Sequence, residues 1–167
     1  MPPRRGSARD KDAISKAQVI SSLCGIAALV ELHWFSILTW NGPIELPYPW
    51  PQTLDFHAEL SKLQKQQDLC SCCAPETRNL SLTTRLILAW PDATYILVDG
   101  IIQGNWGRGP DWIDRRDQHA GPDDYFIPED EVRPLAQIAP IEREAYSGRA
   151  RALSKLVPEI LRLSTIS

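Results

Sequence analysis

The first third of the chain carries an apolar pattern that predicts a helix followed by a hairpin. Apolar side chains dominate residues 19–40, with two ionisable interruptions. The second half of this run alternates between two faces, as a half-buried strand does, and Asn41-Gly42 then supplies a dipeptide typical of two-residue hairpin turns. We therefore predict a helix over about 12–30 and a hairpin over about 32–47.

A second hairpin is predicted over about 85–102. Residues 85–90 and 94–102 are rich in apolar and β-branched side chains, and a Pro-Asp-Ala turn separates them. Both segments are apolar on both faces, as buried strands are. The helical spacing of apolar residues adds one helix over about 53–67 and another that begins near residue 141.

Together these elements predict an α+β fold. A small antiparallel sheet of the two hairpins (about 32–47 and 85–102) would be covered by helices packed on one face. A length of 167 residues suits one domain of ordinary size. We therefore expect a disordered basic tail over residues 1–10 and a single α+β domain over residues 11–167.

The apolar run over residues 19–40 also permits a different interpretation. As one helix of about 22 residues it would cross the ~30 Å of a membrane core, and the basic residues before it agree with the positive-inside rule. Glu31 would then lie beyond the middle of the span, at a cost of ~2.5–3.5 kcal/mol. The hairpin interpretation avoids this cost and is preferred. A single-pass membrane protein anchored by residues 19–40 is the alternative.

Charge and cysteine content narrow the compartment and the partners. The net charge is −3 and the pI is near 5.6, so bulk charge gives no reason to expect nucleic acid as a partner. Three of the four cysteines are crowded within residues 70–73, which does not match the spaced framework of a small secreted domain. Reduced thiols in the cytoplasm are expected, with membrane anchoring as the alternative.

The crowded cysteines are also a candidate metal site. Three thiolates within four residues have the chemistry of zinc ligands. A structural zinc site usually holds two ligand pairs separated by a loop, and the second pair is missing from this sequence. We therefore expect no cofactor, with zinc bound at Cys70, Cys72 and Cys73 as the alternative.

The acidic loop predicted over residues 103–124 is the best candidate for a binding surface. Long surface loops often carry function, and this one combines Trp, Arg, Asp and His in the manner of interaction hot spots. Its aspartates also suit a divalent cation or acid–base chemistry. The candidate partner-binding residues are Trp106, Arg108, Asp111, Trp112, Asp114, Arg115, Arg116 and His119.

The predicted function follows mainly from missing motifs. The sequence contains no nucleophile elbow, phosphate-binding loop or zinc-protease motif, so an enzyme is not the favoured class. We expect a small non-enzymatic binding protein, an adaptor, inhibitor or accessory subunit, that acts through a protein partner. One alternative is a divalent-metal-dependent hydrolase that uses the acidic loop over residues 103–124, and the membrane protein described above is the other.

Overall fold

The computed structural model describes residues 8–39, 42–49, 51, 58–59, 79–106 and 121–164. The helices are α1 (Ala8–Cys24) and α2 (Gly148–Ser164), and the strands are β1 (Ala28–Thr39), β2 (Gly42–Pro47), β3 (Asn79–Ala89), β4 (Tyr95–Trp106) and β5 (Phe126–Pro128). Short 3₁₀ helices occupy Pro122–Asp124, Leu135–Gln137 and Glu142–Tyr146.

The five strands form one antiparallel sheet in the order β2-β1-β3-β4-β5, which confirms the predicted α+β class. Thr39 of β1 lies opposite Gly42 of β2, so two residues separate the paired positions, as predicted. Gly42 itself belongs to β2, one residue earlier than the turn predicted at Asn41-Gly42 allows. At the other edge, Gly104 of β4 pairs with Pro128 of β5. The predicted hairpins are thus extended by a short fifth strand.

The helix α1 ends earlier than predicted. Gly25 adopts φ +69°, and its N–H donates to the Ser21 carbonyl at 2.9 Å, so the chain leaves the helix in a left-handed glycine cap. The Ser21 hydroxyl donates to the Ile26 carbonyl at 2.6 Å and fixes this exit. The apolar residues that follow belong to β1.

The apolar run over residues 19–40 is therefore divided between the end of α1 and the strand β1. In the parts of the chain that the structure describes, no helix is both long and apolar enough to span a membrane. The alternative in which residues 19–40 form one membrane-spanning helix is wrong. The N-terminal tail was predicted over residues 1–10, and its last three residues belong to α1. Residues 1–7 lie outside the described part.

The chain folds as two compact units, of which the first comprises Met1–Leu32, Thr84–Gly100 and Gly148–Ser167. In this unit, Ala13 and Ala17 of α1 pack on Ile87 and Ala89 of β3. Leu86 and Leu88 of the same strand pack instead against α2. Successive strand residues point to opposite faces, so the two helices lie on opposite faces of the sheet and not on one face as predicted. The cause is that β3 is apolar on both faces.

A buried ion pair joins α1 to the sheet of the first unit. The guanidinium of Arg85 on β3 donates two hydrogen bonds to Asp99 on β4, at 2.7 and 2.6 Å, and one to Asp10 on α1 at 2.5 Å. The Arg85 side chain is only 17% exposed and that of Asp10 9%. These hydrogen bonds, chiefly those to Asp99, raise the pKa of Arg85 above its ordinary value and keep it charged.

The first turn of α2 packs against β4 at two glycines. A Cβ atom on Gly100 would overlap the carbonyl oxygen of Gly148 and lie 2.6 Å from the backbone nitrogen of Ala152. On the helix side, a Cβ on Gly148 would lie 2.5 Å from the hydroxyl of Thr84. Backbone therefore contacts backbone here, which only glycine permits.

The second unit comprises His33–Thr83 and Ile101–Ser147. Its core gathers Phe35 and Ile37 of β1, Ile102 of β4 and Phe126 of β5, all at most 1% exposed. The rings of Phe35 and Phe126 meet edge to face at 5.3 Å between centroids, a favourable aromatic geometry. Tyr48 also packs against this core.

We predict that Arg85→Met lowers the free energy of unfolding by about 3 kcal/mol or more, because it leaves two carboxylates without their buried cation. Urea denaturation monitored by circular dichroism measures the loss. The matched control is Arg162→Met, which removes an exposed pair with Glu159 and should have little effect. Equal losses in the two variants would contradict a stabilising role for Arg85.

We also predict that Gly100→Ala lowers the free energy of unfolding by about 3 kcal/mol, because the added methyl must push α2 away from β4. The matched control is Gly25→Ala, where nothing lies within 4 Å of the new Cβ and the left-handed φ alone is strained, at about 1 kcal/mol. Thermal denaturation of both variants ranks the two costs. A smaller loss for Gly100→Ala than for Gly25→Ala would show that the helix moves without strain.

Candidate functional site

The strongest candidate site lies in the second unit, at the 3₁₀ helix Pro122–Asp124 that precedes β5. Pro122 at its first position fits the fixed φ of proline, and the Asp124 carboxylate accepts the N–H of Gly121 at 2.8 Å. On the neighbouring strand, a side chain at Gly104 would collide with the Phe126 ring and the Ile127 carbonyl. Gly104 thus lets β5 pair closely with β4. Asp123 lies three residues before Phe126, the first paired residue of β5.

The Asp123 carboxyl is largely buried beside the aromatic core. The Tyr48 hydroxyl donates to its Oδ2 atom at 3.5 Å. Its Oδ1 atom is buried and has no hydrogen-bond partner within the described ranges of the chain. A buried acceptor without a partner costs about 1–3 kcal/mol, so such atoms often mark functional positions.

The pKa of Asp123 is shifted upward, and burial outweighs the groups that oppose the shift. Burial is the largest cause and raises the pKa to about 6. The positive charge of Arg143 opposes this shift, the negative charge of Asp124 adds to it, and the hydrogen bond from Tyr48 opposes it. Arg143 donates to the carbonyls of Ile138 at 2.8 Å and Ala136 at 2.9 Å, so it is held in place by backbone.

Tyr48 is fixed by ring contacts. Its ring meets Phe35 edge to face at 5.2 Å and His33 at 6.0 Å between centroids. Burial, followed by the charge of Asp123, raises the pKa of Tyr48 to about 12, so the phenol stays protonated and remains a donor at neutral pH.

This arrangement provides one carboxyl that changes protonation near neutral pH. With a pKa of about 6, Asp123 is mostly an ionised acceptor at pH 7.5 and mostly a neutral acid below pH 5.5. Strong shifts of this kind concentrate at functional sites. The carboxyl can therefore act as an ionised acceptor or as a neutral acid, depending on the pH. Its Oδ1 atom is buried, so a ligand donor reaches that atom only when the residues that cover it move aside.

The comparison with known proteins gives the family. A model of the Ham1 family matches residues 6–159, nearly the whole chain. A dITP/XTP pyrophosphatase of Gluconobacter oxydans is 38% identical over 165 residues, which covers 92% of this chain and 71% of the relative.

The chain belongs to the Ham1 family.

A second relative and a solved structure agree with this assignment. The dITP/XTP pyrophosphatase of Caulobacter vibrioides is 27% identical over 150 residues, covering 87% of this chain and 72% of the relative. The structure of the Staphylococcus aureus Ham1 protein superposes with a TM-score of 0.65 at 16% identity, over 96% of this chain and 79% of that one. At this identity the likeness shows the fold alone.

These relationships overturn the predicted function. The chain was expected to be a non-enzymatic adaptor, inhibitor or accessory subunit acting through a protein partner. That prediction is wrong, because the chain matches a family whose curated relatives bear the names of enzymes. The expectation that it is not an enzyme is wrong for the same reason. The hydrolase alternative is the one whose reaction class agrees with those names.

Most of the residues that were predicted to form sites lie outside the described part of the chain. This holds for Arg108, Asp111, Trp112, Asp114, Arg115, Arg116 and His119, and for Cys70, Cys72 and Cys73. The backbone of Trp106 is described and ends β4. Across residues 8–39, 79–106 and the other described segments, no three His, Cys, Asp or Glu side chains are grouped as metal ligands would be. The zinc site and the assignment of these loop residues to a functional site remain predictions, while the protein partner expected for the loop is excluded with the adaptor function.

The residues that the structure brings together were missed from sequence. Tyr48 and Asp123 are 75 positions apart, and no local motif joins them. Asp123 stands within the predicted acidic loop, but its neighbour Asp124 has the same chemistry in the sequence. The carboxyl that becomes buried can be told from the one that caps a turn only once the fold is known.

We predict that Asp123→Asn stabilises the protein above pH 6. The folded-state pKa of Asp123 lies above its ordinary value of 3.8. Its contribution to stability is therefore fully present below pH 3.8 and is lost as the pH rises through 6. The neutral amide does not incur this loss, so the variant should be more stable by ~2–3 kcal/mol at pH 7.5 and equally stable near pH 4.

Urea denaturation of both proteins at intervals between pH 4 and pH 8 tests this expectation. The difference between their free energies of unfolding isolates Asp123, because all other titrating groups are shared. Asp124→Asn is the matched control, and it should reduce stability through loss of the contact to Gly121. A pH-independent difference between wild type and Asp123→Asn would contradict the raised pKa.

Proposed function

We propose that this Ham1 family member hydrolyses purine nucleoside triphosphates of the dITP and XTP type, releasing pyrophosphate and the nucleoside monophosphate. Its membership of the family carries this proposal, together with the names of curated relatives that align over most of the chain. Release of pyrophosphate requires water to attack the α-phosphorus and the α–β bridging oxygen to leave with the β-phosphoryl group. The reaction is a hydrolysis, balanced by one water molecule.

Asp123 is the group that we assign to recognition of the base. Hypoxanthine and xanthine both present a lactam N–H donor. The ionised carboxyl has an Oδ1 acceptor that lacks a donor in the described part of the chain, and a base reaches it once the residues that cover this buried atom move aside. Adenine presents an acceptor at the corresponding ring position and would leave the carboxylate unsatisfied. A site built around one buried hydrogen bond discriminates strongly against the analogue that cannot form it.

Enzymes that act on nucleoside triphosphates often use a divalent metal, since Mg²⁺ binds through substrate phosphates and one or two carboxylates. Within the described segments no group of three or more His, Cys, Asp or Glu residues forms a ready metal centre. The described residues alone therefore do not fit a metal site made only of protein ligands, and we assign no step to a metal.

The cytoplasmic location expected from the cysteines also remains a proposal.

We predict that the purified protein releases pyrophosphate from dITP and XTP with a kcat/KM at least about tenfold higher than from dATP. The assay measures pyrophosphate and monophosphate together by ion-exchange chromatography, in a buffer that contains Mg²⁺. Equal amounts of the two products identify cleavage between the α- and β-phosphates. Release of inorganic phosphate and dIDP instead would contradict the proposed bond cleavage.

Asp123→Asn should lower kcat/KM for dITP by about tenfold to a hundredfold. The amide oxygen is an uncharged and weaker acceptor than the carboxylate, and the amide nitrogen can only donate. The same change should affect dATP hydrolysis much less. Glu159→Gln, on an exposed position of α2, is the matched control for loss of one carboxylate. Full activity of Asp123→Asn toward dITP would exclude Asp123 from the site.

A further inference from the structure

We infer that Tyr48 is a positioning residue for the hydrolysis proposed above, because its hydroxyl holds the Oδ2 side of the Asp123 carboxyl and favours the ionised form that the reaction uses. This inference rests on the proposed function. It assigns no contact between Tyr48 and the substrate. The hydroxyl acts through Asp123.

Two features of the geometry support this role. Tyr48 is the side chain that donates to Asp123 in the described part of the chain, and it reaches Oδ2 and leaves Oδ1 without a partner. Its ring is fixed against Phe35, whose own ring packs on Phe126 three residues after Asp123. Donor and acceptor are therefore anchored on one aromatic cluster. The contact of 3.5 Å lies at the long end of hydrogen-bond distances.

The other charged groups near Asp123 do not replace this donor. Arg143 acts on Asp123 through its charge, while its guanidinium donates hydrogen bonds to the carbonyls of Ile138 and Ala136. Asp124 is a carboxylate and opposes ionisation of its neighbour. His33 faces the Tyr48 ring. The 3₁₀ helix Leu135–Gln137 that packs on this turn has no ionisable side chain.

Removal of the Tyr48 hydroxyl should shift the pKa of Asp123 in one direction, and a purely structural role of Tyr48 would not produce that shift. Tyr48→Phe keeps the ring and its packing on Phe35, but removes the donor that lowers the pKa of Asp123. The pKa of Asp123 should rise above that of the wild type. The acid side of the pH profile of kcat/KM for dITP should then move to higher pH, with kcat/KM roughly two- to fivefold lower at pH 6 and nearly unchanged at pH 8.5.

The experiment has two readouts on the full-length protein. The first is the pH titration of the Asp123 side-chain carboxyl by ¹³C NMR, with the resonance assigned through its absence in Asp123→Asn. The second is kcat/KM for dITP between pH 5 and pH 9. Tyr146→Phe is the matched control, because Tyr146 also packs against the second-unit core, whereas Tyr48 is the tyrosine whose hydroxyl donates to Asp123.

The inference requires a higher Asp123 pKa in Tyr48→Phe and an unchanged one in Tyr146→Phe. An Asp123 pKa equal to that of wild type in Tyr48→Phe, or the same rise in both variants, would overturn it. The two proposals can fail separately. If no nucleotide is hydrolysed, the proposed function fails, and the NMR titration still decides whether Tyr48 controls Asp123.

Discussion

The buried guanidinium of Arg85 is the interaction on which the first unit depends. A charge that is largely removed from water must find opposite charges, and Asp10 and Asp99 supply them from a helix and from a neighbouring strand. The face of α1 that packs on the sheet is built from small residues, Ala13 and Ala17 among them, and offers little apolar area. The ion pair therefore fixes the position of a helix that hydrophobic packing alone would hold weakly.

Local patterns predicted the hairpins well because turn chemistry and alternation act over a few residues. The turn after β3 shows this, since the Asp92 carboxylate accepts both the N–H and the hydroxyl of Thr94. The end of α1 was missed because the apolar run continues past Gly25, whose left-handed conformation stops the helix. The placement of the helices was missed although β3 is apolar on both faces, a pattern that calls for cover on both sides.

The candidate site could be predicted much less well. Burial decides the behaviour of Asp123, and burial is a property of the folded chain and not of the residues around it in sequence. The absence of short catalytic motifs was also a poor guide to function. The family relationship extends over residues 6–159, nearly the whole chain.

The way in which Arg143 is held has a consequence for proton exchange. Its guanidinium is tied to two backbone carbonyls, so it acts on Asp123 as a stationary charge. When Asp123 gains or loses its proton, Arg143 therefore does not have to move. The contribution of Arg143 to the reorganisation energy of that proton transfer is accordingly small.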